Sequence, residues 1–307
     1  MTSAGDGAGT THMIQTITHN FPPFVVDIIR LCAWLAILTA IFVPLERVFA
    51  LHPSKILRKG ISTDLGYYFL GGLVTSVLLS VPLGVIAWTA HRFVPHVLQT
   101  AFDGVSFWPR ALAGLVAGEI GFYWGHRLMH TVPFLWRFHA IHHSAEHIDF
   151  LVNSRAHPVD LTFGRLCAFV PLYVLGIAQP GTTGGSMIPA LVTLVGTTWA
   201  FFIHANIWWR LGPLEWVIST PHFHHWHHAM EPANRNYASM LPVLDRVFGS
   251  LHLPKGEWPE GYGIHDTMPA TLGQQLLQPF LPKRLAAVAV APGNPDHAER
   301  PAASSVV

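Results

Sequence analysis

Charged residues are scarce in this sequence: Asp, Glu, Lys and Arg make up 11% of its 307 residues, where a soluble domain carries about 25%. That excludes an ordinary soluble surface. Cysteine is scarcer still. Cys32 and Cys167 both lie in apolar runs and no C-x-x-C occurs, so a disulfide framework, a zinc ribbon, an iron–sulfur cluster and thiol-based redox chemistry are excluded. The formal net charge is +1, which gives no electrostatic ground for a nucleic-acid partner, and none is expected. Also missing are H-E-x-x-H, G-x-S-x-G, a G-x-G-x-x-G in a βαβ setting, and C-x-x-C-H. These absences argue against a zincin protease, a serine hydrolase, a built-in nicotinamide or flavin domain, and an attached haem. Any electrons that the chemistry needs must come from another protein.

Apolar residues are abundant instead, at 50% of the chain with a mean hydropathy of +0.36. A helix needs about 20 apolar residues to cross the hydrocarbon of a bilayer. Four stretches qualify: Phe24–Leu45, Leu65–Ala90, Ala111–Gly125, and the charge-free run Leu166–Trp209. The last is too long for one span and contains the breakers Gln179-Pro-Gly-Thr-Thr-Gly-Gly-Ser186, so it reads as a two-helix hairpin. The expected fold is all-α, a multi-pass transmembrane domain with about five crossings. It occupies 23–283, between tails at 1–22 and 284–307 that are small, polar or Ala/Pro-rich and read as disordered.

Basic residues orient the spans, because short cytoplasmic loops collect Lys and Arg. Residues 1–29 have none, and the first loop has Arg47, Lys55, Arg58 and Lys59. Arg127, Arg137, Arg155 and Arg165, then Arg210, Arg235, Arg246 and Lys255, lie around the histidine clusters described next. The alternation puts the N-terminus outside, and the histidine clusters and C-terminus in the cytoplasm. That means a bacterial inner membrane, or the endoplasmic reticulum in a eukaryote.

Thirteen of the 21 histidines fall within 126–228, in three boxes: His126-Arg-Leu-Met-His130, His139-Ala-Ile-His142-His143 and His224-His225-Trp-His227-His228. Spacings of i, i+3 and i+4 share a helix face, so each box can aim two or three imidazoles at one point. Neutral imidazole suits iron, zinc and copper. The eight rings His126, His130, His139, His142, His143, His224, His227 and His228 exceed what one ion can use, so two ions are implied. His204, ending the last span, is a ninth ligand or a structural histidine at a helix end. His147, His222 and His225 lie off the ligand spacing, with supporting or surface roles. His157 before Pro158 is either a ligand or an orienting group.

Glu119, ionisable within an apolar helix, faces the site or serves structure. Gly114, Gly118, Gly121 and Gly125 repeat a spacing that lets helices approach closely. Tyr123, Trp124, Trp136, Trp208 and Trp209 fall where an aromatic belt would lie.

The combination Tyr123-Trp-Gly-His-Arg-Leu-Met-His130, Leu135-Trp-Arg-Phe-His-Ala-Ile-His-His-Ser144, Arg155-Ala-His-Pro158, Phe202-Ile-His-Ala-Asn206, Thr220-Pro-His-Phe-His-His-Trp-His-His228, Asn236-Tyr237 and Leu244-Asp-Arg-Val-Phe-Gly-Ser250 resembles the fatty acid hydroxylase superfamily, also called the sterol desaturase family. The resemblance covers about residues 110–250. It implies a non-haem centre of two ferrous ions on the cytoplasmic side of a helical membrane domain, activating O2 to hydroxylate or desaturate a C–H bond of a lipid. Its ligands would be the eight box histidines named above, with His204 as an extra one. It also implies a separate redox partner of cytochrome b5, ferredoxin or reductase type. The substrate could be a sterol, fatty acyl, carotenoid or other membrane lipid.

Two other classes fit the residues alone. A metal-dependent membrane hydrolase would use a metal-bound hydroxide and need neither O2 nor reductant. A metal transporter or sensor would place its site near the bilayer midplane between broken helices, whereas these boxes follow span ends.

Overall fold

The computed structural model describes residues 21–179 and 184–282. The expected tails at 1–22 and 284–307, apart from residues 21 and 22, lie outside the described residues, as do 180–183 of the expected hairpin turn. Seven helices organise the chain: α1 (Pro23–Val48), α2 (Ile61–Phe93), α3 (Phe107–Thr131), α4 (Pro133–His143), α5 (Pro158–Val174), α6 (Ile188–Ile203) and α7 (Pro221–His227). Single turns and irregular segments connect them. Among the described residues, β-pairing is confined to two isolated bridges, Ala50 with Ile207 and Ala229 with Tyr262.

Among the described residues, three helices are long and apolar enough to cross a membrane: α1, α2, and the segment Gly185–Ile203 that ends in α6. Most of the side chains on α1 and α2 face outward rather than into the protein, as a lipid solvent allows. The expected third span lies inside α3. The long apolar run divides into α5 and α6 as expected, although α5 starts earlier, at Pro158, and runs on through Pro171. Gly176 then turns the chain at φ 70°. A Cβ there would come 2.2 Å from the Gln99 carbonyl oxygen, so only glycine fits both the dihedral and the contact.

α3 is the spine of the site, and its four glycines form one seam. Cβ atoms at Gly114 and Gly118 would lie 2.6 Å and 3.0 Å from Ile188 and Val192 of α6. At Gly121 a Cβ would lie 2.2 Å from the Cys167 carbonyl oxygen of α5, and at Gly125 2.6 Å from the Cys167 Cβ. The small-residue spacing thus packs α3 against two helices at once. Cys167 and Cys32 are both free thiols.

Ion pairs and backbone caps tie the membrane helices to the loops that carry histidines. Asp64 at the start of α2 is fully buried and accepts from Arg58 (2.7 Å) and Arg155 (2.6 Å), and Arg58 also grips Asp149. Glu46 near the end of α1 accepts the backbone N–H of Phe150 (2.8 Å) and of Asn206 (2.9 Å). Removing one member of such a buried pair costs about 3–5 kcal/mol. The segment from Asp149 to Arg155 and the exit from α6 are therefore held to the ends of α1 and α2.

Candidate metal centre

Helix ends deliver the histidines. α3 finishes with His126 and His130, and the chain turns at Val132 directly into α4, where Pro133 occupies the first helical position and suits it by its fixed φ. That corner sets His139, His142 and His143 beside the end of α3. His204 is the C-cap of α6. α7 begins with the Thr220 hydroxyl accepting from the Phe223 N–H (3.3 Å) and Pro221 at its first position, a sequence-encoded start. It carries His224 and His227, with His228 as its C-cap.

All nine expected rings come together, in two groups whose ligand atoms lie within 4.8 Å of one another: His126, His130, His139, His143 and His227 in one, and His142, His204, His224 and His228 in the other. The boxes do not each converge on one point. Residues four apart differ by about 40° around a helix and residues three apart by about 60° the other way. His139 and His143 accordingly stay together while His142 turns to the second group, and His224 and His228 stay together while His227 turns to the first. The groups touch, with the His143 ring stacked on His228 at 4.3 Å.

Hydrogen bonds behind the rings fix which nitrogen faces inward. Nδ1–H of His126 donates to the Tyr237 carbonyl (2.6 Å), that of His142 to Arg155 (3.1 Å), that of His204 to Ala200 (2.7 Å) and that of His227 to Arg235 (2.8 Å). His139 Nδ1 lies 3.1 Å from both carboxylate oxygens of Asp160. Each of these five rings therefore keeps its lone pair on Nε2, since a carbonyl or carboxylate partner requires the proton on Nδ1. Burial, reinforced by neighbouring rings, holds His142, His143, His224, His227 and His228 well below the ordinary imidazole range. They are neutral imidazoles near neutral pH.

This arrangement fits a metal. His204 Nε2 stands 3.2 Å from His142 Nε2, and His126 Nε2 stands 3.1 Å from His139 Nε2. With both protons held on Nδ1, two lone pairs face each other across each gap. Buried His143 Nε2, His227 Nε2, His224 Nδ1 and His228 Nδ1 have no hydrogen-bond partner among the described residues. Converging lone pairs and unpartnered buried nitrogens are costly unless a cation lies among them. Imidazole nitrogens bind first-row metals at about 2.0–2.1 Å, so separations of this size suit ligands shared by one ion.

A cavity of about 210 Å³ opens from the histidines between α3, α5 and α6. His126, His139, His142, His204 and His224 form its floor, and Phe122, Leu161, Phe169, Val192 and Ala200 are among its apolar walls. Glu119 lines it too, while its Oε1 accepts the backbone N–H of Met240 (2.7 Å) and Leu241 (3.2 Å). It thus serves structure and borders the site at once.

The four other histidines between residues 126 and 228 separate from the nine. His225 is fully buried and bonds to the Tyr262 hydroxyl (2.8 Å) and the Ala205 carbonyl (3.1 Å), with burial pushing its imidazole down to about 3. His222 bridges Glu215 (3.2 Å) and the Glu257 carbonyl (2.8 Å). His157 caps α5 by accepting from the Val159 N–H (3.1 Å) and packs on Phe138 and Phe280, away from both groups. His147 is exposed. One of the expected belt aromatics is interior instead: Tyr123 is 0% exposed and shares a hydrogen bond with Ser250 (2.8 Å). Trp136 is half-buried and packs on His130 at 5.2 Å. Asp160 carries no signal of this role in the sequence, because its place in the first turn of a helix marks only an ordinary charge–dipole preference.

Fold and site together define a helical membrane protein with a buried polyhistidine metal centre. Residues 111–250 match the family described as fatty acid hydroxylase. The chain is 35% identical over 197 residues to an ornithine lipid hydroxylase from Rhizobium tropici, covering 61% of this chain and 57% of that protein. It is 30% identical over 195 residues to an alkylglycerol monooxygenase from Danio rerio, covering 62% and 40%. A very-long-chain aldehyde decarbonylase from Oryza sativa subsp. indica is 24% identical over 226 residues, covering 67% and 76%. The chain spans about half the length of the first two relatives. No solved structure matches it.

Proposed function

We propose that the chain is a membrane-bound non-haem di-iron oxygenase that uses O2 and external electrons to hydroxylate, or desaturate, a C–H bond of a lipid. One observation carries this reading: two adjoining groups of inward-aimed imidazoles, eight of the nine buried, contribute five rings to the floor of an apolar cavity between helices. The relatives, a lipid hydroxylase and a lipid monooxygenase by name, support the same chemistry here.

The ligands are His126, His130, His139, His143 and His227 for one ion, and His142, His204, His224 and His228 for the other. Two irons there would supply the reductive activation of O2 and the removal of hydrogen from an unactivated C–H bond. The protein's own residues do the rest. Asp160 and the four backbone carbonyls hold rings in one tautomer and direction. The walls of α3, α5 and α6 position an apolar chain over the floor and exclude water. An all-nitrogen ligand set differs from the carboxylate-rich di-iron sites of soluble helical bundles.

In the membrane, α3 and α5 complete about five crossings, with the N-terminus outside and the histidines and C-terminus in the cytoplasm. Electrons arrive from a separate partner of cytochrome b5, ferredoxin or reductase type. The test is a lipid mass comparison of cells with and without the gene, with and without O2. An O2-dependent gain of one oxygen atom in one lipid class supports the reading and names the substrate. Bound zinc with no oxygenated lipid sends it to the hydrolase class. A C-terminal reporter that responds from outside the cell overturns the orientation.

A further inference from the structure

The cavity above the histidines is lined by an arginine that none of the described residues answers. Arg165 on α5 lines the cavity, and no described residue hydrogen-bonds to it or pairs with it. The other charged lining residues are Glu119 and Asp160, and both are already engaged. Glu119 holds the Met240 and Leu241 N–H groups, and Asp160 holds His139. Arg58 and Arg155 are each answered by Asp64, which makes Arg165 the exception among the arginines of this region. Asn153 lines the same cavity, and no described residue engages its side-chain amide.

An uncompensated guanidinium beside apolar walls is costly, and its place in a helical membrane protein points to function. Guanidinium is a planar fork suited to two oxygens of a carboxylate or phosphate. Arg165 lies five residues after Asp160, roughly 7.5 Å along α5 at a rise of 1.5 Å per residue. It therefore shares one compact cavity with the ring that Asp160 orients.

We propose that Arg165 is the anion-recognition residue of the substrate site, so that the lipid acted on carries a carboxylate or phosphate a short stretch of chain from the carbon held over the histidines. This rests on the reading of the cavity as the substrate site of an oxygenase, and it adds the chemical class of the substrate.

The experiment is equilibrium binding to the purified, metal-loaded full-length protein in a non-ionic detergent, with dodecanoate, dodecyl phosphate and dodecanol as probes. The wild type should bind one or both anions about tenfold or more tighter than the alcohol, the range expected of charge-assisted hydrogen bonds. Arg165→Met should abolish that preference while metal content and dodecanol affinity stay the same, and Arg165→Lys should keep part of it. Preference for the carboxylate alone, or for the phosphate alone, supports the proposal and names the group. Equal affinity for all three probes in the wild type overturns it, as does an undiminished preference in Arg165→Met. If Arg165→Met does not fold, the wild-type comparison and Arg165→Lys still decide. Binding is read without turnover, so an anion preference without any oxygenated lipid would sink only the oxygenase reading, and oxygenation without anion preference would sink only this one.

Discussion

Asp160 lies behind His139 with both carboxylate oxygens 3.1 Å from Nδ1, while the opposite nitrogen of the same ring stands 3.1 Å from Nε2 of both His126 and His130. A carboxylate behind a ligand imidazole fixes its tautomer and the direction of its ring. Asp160→Ala should therefore weaken metal binding by roughly 10–100-fold. Asp160→Asn, which keeps an acceptor but loses the charge, should cost less. Chelator competition on the purified protein measures both, and unchanged metal affinity in Asp160→Ala would remove Asp160 from the support of the site.

The crowded third box gives a second test. His225 and His227 are two residues apart, yet one bonds to Tyr262 and Ala205 and the other faces the first group. His227→Ala should lose metal. His225→Ala should keep metal and lower stability by about 1–3 kcal/mol, the cost of stranding buried partners. Metal content and thermal unfolding, measured side by side, separate the two roles, and metal loss in His225→Ala would shift the ligand register.

The seam between α3 and α5 gives a third. A methyl at Gly121 meets a backbone oxygen at 2.2 Å, which no side-chain rotation relieves. Gly121→Ala should destabilise by about 3 kcal/mol or more, at or above the upper end of ordinary overpacking. Gly84→Ala, where nothing lies within 4 Å, should be neutral or gain up to about 1 kcal/mol. Apparent melting temperatures in detergent compare them, and equal values would contradict the packing.

Gly196 of α6 lines the cavity, and a Cβ there meets nothing within 4 Å. Gly196→Leu should fill cavity space without moving the backbone. The variant should keep its metal and its melting temperature while losing conversion of the native lipid. Unchanged conversion would place the substrate elsewhere.

Much of the candidate metal site is legible in the sequence, because its proposed ligands are side chains. The i, i+3, i+4 histidines and the long apolar runs carry their meaning in residue identity and spacing, and even the α3 glycine seam announces close packing. The orienting groups do not show themselves. Four of the five are backbone carbonyls, at Tyr237, Arg155, Arg235 and Ala200, and any residue supplies a carbonyl. Asp160 reads as an ordinary charge at a helix start, and Tyr123 reads as a belt aromatic because hydrophobic ends look alike whether they face lipid or a protein interior. Division of the second and third boxes between two groups follows from helix angles only once α4 and α7 are set beside α3. That no described residue answers Arg165 depends on where every nearby acid points, which residue order does not specify.

The most direct test of the account is the metal content of the detergent-purified chain, by elemental analysis, in the wild type and in His143→Ala and His204→Ala. These variants each remove one ring, from the group of five and the group of four respectively. The wild type should hold about two irons per chain, as imidazole ligands allow, and each variant should preferentially lose one of them. Zinc in place of iron, or a single ion that both variants abolish, would contradict the account.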